Sequence, residues 1–139
     1  MEIIATILAV SFAGLAALHL YWVLGGTFGM SAALPEVDGI PVFTPSKVAT
    51  VAVAFVLAGF ALVALVLGFG STSGIASYAE YCGLAVGGVL VLRAVGEFRY
   101  VGFFNRVKGS KFAAYDSWVF SPFCLLAGGA FFALAAGRI

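Results

Sequence analysis

From Ile3 to Pro35 the chain carries no Asp, Glu, Lys or Arg, and no other feature restricts its fold so tightly. A helix needs about 20 apolar residues to cross the hydrocarbon core of a bilayer, so this run covers a full crossing with residues to spare. A soluble domain of 139 residues has too little interior to hide such a segment. Composition agrees: 63% of residues are hydrophobic and 9% charged, with a mean hydropathy of +1.15, against roughly 45–50% and about 25% in soluble domains. These values exclude a cytoplasmic enzyme, a secreted disulfide scaffold and a disordered chain.

The expected fold is all-α, a four-transmembrane-helix bundle forming a single integral membrane domain over 1–139, with spans at about 3–28, 47–70, 76–104 and 117–136. The small residues Gly70-Ser71-Thr72-Ser73-Gly74 close the second span and suit a short turn between antiparallel helices. The third span is expected to continue as one helix to about Phe104, because Val95, Phe98, Tyr100, Val101, Phe103 and Phe104 extend its apolar pattern past Arg93. An even number of spans puts both termini on one side. The loops after spans one and three share the other side and hold Lys47, Arg106, Lys108 and Lys111, with Arg99 close by, against Arg138 at the opposite end. Because cytoplasmic loops collect Lys and Arg, both termini are expected outside a bacterial cytoplasmic membrane. Met1-Glu2 lacks the positive region of a signal peptide, so span one is expected to remain.

A weak repeat accompanies this layout. Val42-Phe43-Thr44-Pro45 precedes span two and Val119-Phe120-Ser121-Pro122 opens span four, and the same offset lays Gly25 on Gly102. Two tandem helical hairpins are the expected arrangement, related by an axis along the membrane normal. The Thr-Pro and Ser-Pro pairs also read simply as helix starts, a polar cap followed by proline in the first turn. Ala79, Gly83 and Gly87 recur every four residues, giving span three a small-residue face on which another backbone can approach, within the chain or between subunits.

Depth bookkeeping gathers the polar residues at the loop end. His19, Tyr21 and Trp22 lie in the last third of span one, and Arg93, Glu97 and Tyr100 fall at matching depth in span three. Asp116, Ser117 and Ser121 start span four on the same side, and Lys47 and Thr50 start span two. On a continuous helix Arg93 and Glu97 share a face and form an ion pair, which either neutralises itself structurally or takes part in a ligand site. His19, the single histidine, suits proton exchange or donates one hydrogen bond as a neutral ring. Tyr21 and Trp22 read as interfacial aromatics with their polar tips toward headgroups. No second carboxylate joins Glu97 at depth unless Asp116 approaches from span four.

The candidate ligand-binding or proton-exchange residues are therefore His19, Tyr21, Arg93, Glu97, Arg99 and Tyr100. Arg106, Lys108 and Lys111 lie among Phe103, Phe104, Phe112 and Tyr115 and are expected on anionic lipid headgroups. One histidine cannot ligate a haem on both faces, and Cys82 and Cys124, about 40 residues apart without a C-x-x-C, supply no metal set. They read as two buried small apolar side chains. No metal or cofactor is expected, and a net charge of +1 makes nucleic acid a poor partner. Membrane lipids, a second copy of the chain or a larger membrane protein are the expected partners. The sequence holds no G-x-S-x-G, H-E-x-x-H, P-loop or dinucleotide fingerprint.

Leu18-His19-Leu20-Tyr21-Trp22 with Gly25-Gly26, then Gly96-Glu97-Phe98-Arg99-Tyr100-Val101-Gly102-Phe103-Phe104 and Ser121-Pro122, resemble a family of small bacterial four-helix integral membrane proteins catalogued as a domain of unknown function. The resemblance covers nearly the whole chain and implies the four-helix membrane architecture, with no activity attached. Small multidrug-resistance transporters share the length and span number, but their first span carries a carboxylate where this one has His19. Glutathione-using four-helix membrane enzymes are similar only in having an Arg-, Glu- and Tyr-rich inner layer. The expected function is binding or transport of a small amphipathic or anionic molecule at the inner-leaflet polar site. The alternatives are an enzyme acting on a lipid-soluble substrate, with Tyr100 or His19 as acid or base, and an accessory subunit of a larger complex without chemistry of its own.

Overall fold

The structure, a computed structural model, describes residues 1–96, 100–106 and 110–138. Four helical stretches in it are long and apolar enough to cross a membrane: Glu2–Val23, Lys47–Phe69, Gly74–Val95 and Lys111–Ala136. Together they make this a membrane-spanning helical bundle.

In chain order, α1 is Glu2–Val23, followed by the short α2 at Met30–Ala33, strands β1 at Glu36–Val37 and β2 at Ile40–Pro41, and α3 at Lys47–Phe69. A 3-10 turn over Gly74–Tyr78 leads into α4, Ala79–Val95. The last span comprises α5 at Lys111–Tyr115, a π turn at Asp116–Phe120 and α6 at Ser121–Ala136. Its first residues are capped by Ser110, whose hydroxyl accepts from the Ala113 N–H at 3.0 Å. Ser46 does the same for α3, accepting from Ala49 at 3.1 Å, each cap satisfying one of the orphan donors of a helix start.

Two sequence expectations need correction here. The third span ends at Val95, not near Phe104, because Gly96 takes a φ of +80° and the chain turns away. The fourth begins at Lys111 rather than near Ser117, ahead of Ser121-Pro122. Pro122 therefore lies inside a continuous helical segment, where it lacks an N–H and its ring opposes the carbonyl four residues back. The wide π turn directly before it accommodates that ring. Val42-Phe43-Thr44-Pro45, by contrast, is non-helical chain ahead of the Ser46 cap, so the two halves of the suspected repeat differ at this point.

Helix α1 packs along α3 and α4 along α6, and the two pairs meet chiefly through α3 against α4. Small residues allow the close approaches. A Cβ on Gly68 of α3 would strike the Ala5 methyl of α1, and Gly87 and Gly128 cross so tightly that a Cβ on either would sit 3.0 Å from the other's carbonyl oxygen. The small-residue face of α4 is thus used within the chain, against α6. Phe12 is the hub of the interior, with its ring 5.5 Å from Phe60, 5.6 Å from Phe123 and 6.0 Å from Phe131. The outward faces are equally apolar, with Val10, Phe55, Leu92 and Leu126 all exposed. Water would not tolerate such a surface, whereas lipid does, and interior packing rather than apolar burial must then hold the helices together.

The loop end carries more structure than expected. Asp38 and Gly39 both have positive φ, 53° and 76°, as a two-residue hairpin turn between β1 and β2 demands. Helix α2 packs on α5, tying the loop after span one to the start of span four. Met1 and Gly137 adjoin at the other end, where a Cβ on Gly137 would lie 3.2 Å from Met1 Cε.

Candidate functional site

Span one does not spend its polar residues on the bundle interior. His19 Nδ1 lies 2.7 Å from the Leu15 carbonyl, which assigns the proton to Nδ1 and leaves Nε2 the acceptor in the neutral ring. The imidazole also meets Trp22 edge-on, with centroids 4.8 Å apart. Trp22 Nε1 donates to the Phe28 carbonyl at 2.9 Å, and the Phe28 N–H donates to the Tyr21 hydroxyl at 3.4 Å. The chain can fold back this far because Gly25 has a φ of +100° and Gly26 lies flat against the Tyr21 ring, where a Cβ would overlap it. The polar tips of Tyr21 and Trp22 therefore hold the 24–29 reversal. Tyr21 and His19 have this local work, and their described hydrogen bonds stay within residues 15–28.

The other polar cluster forms where α4 meets the π turn. Arg93, in the last turn of α4, faces Asp116, and the pair closes with Nη2 2.7 Å from Oδ1. Asp116 has a side-chain exposure of 0% against 32% for Arg93. The other carboxylate oxygen accepts the Gly102 N–H. That donor reaches Asp116 because the chain clasps itself after α4: Gly102 has a φ of +88°, and the Phe103 N–H donates to the Ala94 carbonyl at 2.8 Å. A Cβ on Gly96 would strike the Val101 carbonyl and one on Gly102 the Val95 carbonyl. Gly96 and Gly102 of the Gly96 to Phe104 motif thus permit the clasp.

Among the described residues the acidic partner of Arg93 is thus Asp116 of the last span, and the helix on which Arg93 and Glu97 were to share a face ends at Val95. Glu97, Arg99 and Lys108 lie outside the described residues. Tyr100 is half-buried in the segment that returns from α4, and Asn105, buried nearby, donates through Nδ2 to Ser117 Oγ at 3.4 Å. Ser121 and Cys124 follow Asp116 toward the face that α6 turns to α4, and Cys124 lies within electrostatic reach of both Arg93 and Asp116. Two donors there lack an acceptor among the described residues: Arg93 Nη1 and Ser121 Oγ are both buried without a hydrogen-bond partner.

Sequence reasoning singled out Arg93 and paired it with Glu97, which lies outside the described residues; the pairing with Asp116 that the structure shows entered it only as a conditional approach from span four. Asp116 was visible as the acid at the start of span four. Its role depended on the helix ending at Gly96, and a glycine inside an apolar run signals that only weakly. The Asp38-Gly39 hairpin also went unread, although Asp-Gly is among the strongest short-range turn signals.

The remaining polar side chains divide by end. Arg106 and Lys111 are exposed at the loop end beside exposed Phe104, Tyr115 and Trp118. Cys82 is exposed on α4 rather than buried, and both cysteines are free. Among the described residues no group of three or more His, Cys, Asp or Glu converges to hold a metal. Between α1 and α6 runs an open crevice of about 270 Å³ lined by apolar side chains and Ser11, with no charged group in it.

No curated protein and no solved structure matches this chain. Residues 12–131, from the middle of α1 to the later turns of α6, match the family described as "Protein of unknown function (DUF3995)", and the chain belongs to that family.

Proposed function

We propose that this protein binds a small amphipathic molecule with an anionic head, a phosphate or a carboxylate, at the loop end of the α4–α6 pair. The observation that carries the reading is the state of Arg93. Its Nη2 is committed to Asp116, while Nη1 is buried without an acceptor among the described residues. A buried donor left unpaired costs about 1–3 kcal/mol, more when charged, so the site favours a ligand oxygen that accepts from it. The Ser121 hydroxyl supplies a second unused donor on the facing helix. Asp116 balances the resident charge, so an anionic head adds a net charge that Arg106 and Lys111 at the rim offset. The apolar flanks of a membrane-spanning bundle accept the ligand's body.

The orientation that goes with this reading puts both termini outside and the site at the cytoplasmic leaflet. Lys47, Arg106 and Lys111 are exposed at the loop end, whereas Arg138 at the other end is neutralised by Glu80 and shielded. The free cations, worth roughly 1 kcal/mol each near anionic lipid, lie on the side where positive loops collect. Trp118 and Tyr115 beside them sit as interfacial anchors.

Native mass spectrometry of the protein released gently from its membrane tests the binding. The wild type should retain a discrete anionic amphiphile. Arg93→Lys keeps the charge pair with Asp116 but removes the planar fork, and should lose that mass. Ser121→Ala should weaken retention while leaving stability equal or slightly higher, because the hydroxyl it deletes has no partner among the described residues. The same adducts in the wild type and in Arg93→Lys would sink the proposal.

A further inference from the structure

At the end of the bundle opposite the Arg93 site, the chain builds a receptor for a guanidinium group. Helix α3 stops at Phe69, and the last carbonyls of any helix lack intrahelical donors. The carbonyl of Val66, which also accepts the Gly70 N–H, converges with those of Leu67 and Gly70 and with the carbonyls of Ser71 and Ala76 from the following turn. Arg138, arriving from beyond the end of α6, fills the space between them. Its Nη1 donates to Val66 at 3.0 Å, Leu67 at 3.3 Å and Gly70 at 3.0 Å. Its Nη2 donates to Ser71 and, at 3.3 Å, to Ala76. Nε completes the set with Glu80 Oε1 at 3.3 Å.

Each part of this crown is electrostatically suited to a cation. The carbonyl ends of α3 form the negative pole of that helix, and Glu80 sits in the first turn of α4, where the positive pole stabilises a carboxylate. Glu80 is 10% exposed along its side chain, so its charge needs a partner in place. A planar guanidinium presents five N–H groups in a fixed fork that a lysine ammonium does not reproduce.

Arg138 nevertheless fills the crown imperfectly. Guanidinium and carboxylate prefer two parallel hydrogen bonds, but Glu80 receives one long contact on Oε1, and Oε2 is buried with no partner among the described residues. The tether from α6 fixes how far the side chain reaches and how it is turned. An untethered guanidinium can keep the carbonyl contacts and rotate to engage both carboxylate oxygens.

We propose that this crown is a recognition site for the guanidinium cation, and that Arg138 is its exchangeable intrachain occupant, a latch that holds the end of α6 to the α3–α4 turn until a free guanidinium displaces it. The inference is independent of the anion site at the loop end.

Two measurements in neutral detergent test it. Arg138→Ala should unfold at a lower temperature than the wild type, and guanidinium chloride at low millimolar concentration should restore the loss saturably. Sodium or tetramethylammonium chloride at equal ionic strength should not, and adding Glu80→Gln to Arg138→Ala should abolish the restoration. In the wild type, hydrogen exchange read by mass spectrometry should show deuterium uptake over 133–138 rising saturably with guanidinium, while α1 is unchanged. If guanidinium acts no differently from sodium on the variant, or restoration survives Glu80→Gln, the crown is not a guanidinium site. If wild-type exchange over 133–138 does not respond, Arg138 is a fixed strut and the latch is wrong, a result that stands even when the variant fails to fold.

Discussion

Arg93 and Asp116 form one ion pair from two unequal environments, and near-isosteric substitutions on each side should cost unequal amounts. At 2.7 Å separation and an effective dielectric of about 20, the gross attraction is roughly 6 kcal/mol before desolvation is subtracted. Arg93→Met keeps the aliphatic stem but strands a carboxylate whose side chain is 0% exposed, with the Gly102 N–H as its remaining described donor. Breaking a buried pair in this way costs about 3–5 kcal/mol. Asp116→Asn strands the guanidinium instead. Arg93 is 32% exposed and can extend toward headgroups, and the amide oxygen that the substitution introduces still accepts from Gly102, so the cost should be about 1–2 kcal/mol.

The double variant decides whether this reasoning is sound. With Arg93→Met and Asp116→Asn together no charge is stranded, so the pair should be more stable than Arg93→Met alone by about 1–3 kcal/mol. Equilibrium unfolding in mixed micelles, followed by the fluorescence of Trp118 two residues from Asp116, measures all three. A double variant less stable than Arg93→Met, or Asp116→Asn more damaging than Arg93→Met, would refute the account of where the charge is buried.

Two further outcomes follow from the backbone geometry. Gly96→Ala and Gly102→Ala each place a Cβ on a left-handed residue and into a carbonyl across the clasp, and should lose at least about 2 kcal/mol in the same unfolding assay. Gly129→Ala meets nothing within 4 Å and should be neutral or gain up to about 1 kcal/mol, so equal losses at all three positions would contradict the clasp. Trp22→Phe removes the Nε1 bond to the Phe28 carbonyl at a cost of about 1 kcal/mol. Hydrogen exchange over 24–30 should accelerate, and unchanged protection there would mean that the indole bond does not hold the reversal.

The four spans were legible because a bilayer reads a one-dimensional property. Uninterrupted apolar length decides whether a helix can cross, and no partner is needed to recognise it. Helix ends were less legible. Val95 stops α4 although Phe98, Val101 and Phe103 continue the apolar pattern, because Gly96 can take a positive φ and the Phe103 N–H is there to donate to the Ala94 carbonyl. Pro122 read as a helix start and proved to lie inside one, because a π turn before it relieves the missing donor. Arg138 counted as a lone charge at the end opposite the basic loops, and only the fold shows that it fills a crown of carbonyls from two other elements.

Apolar run lengths and loop charges in the amino-acid sequence by themselves determined that this chain has four helices long and apolar enough to cross a membrane and gathers most of its basic residues at one end. Tertiary structure alone decided which charges meet. Arg93 lies 23 residues from Asp116 and Arg138 lies 58 from Glu80, and such pairs are set by how α4 docks on α6 and α6 closes on the α3–α4 turn. Helical periodicity names neighbours three and four positions apart, whereas these contacts depend on the backbone approach at Gly87 and Gly128 and on the reversals at Gly96 and Gly102, which local pattern does not encode.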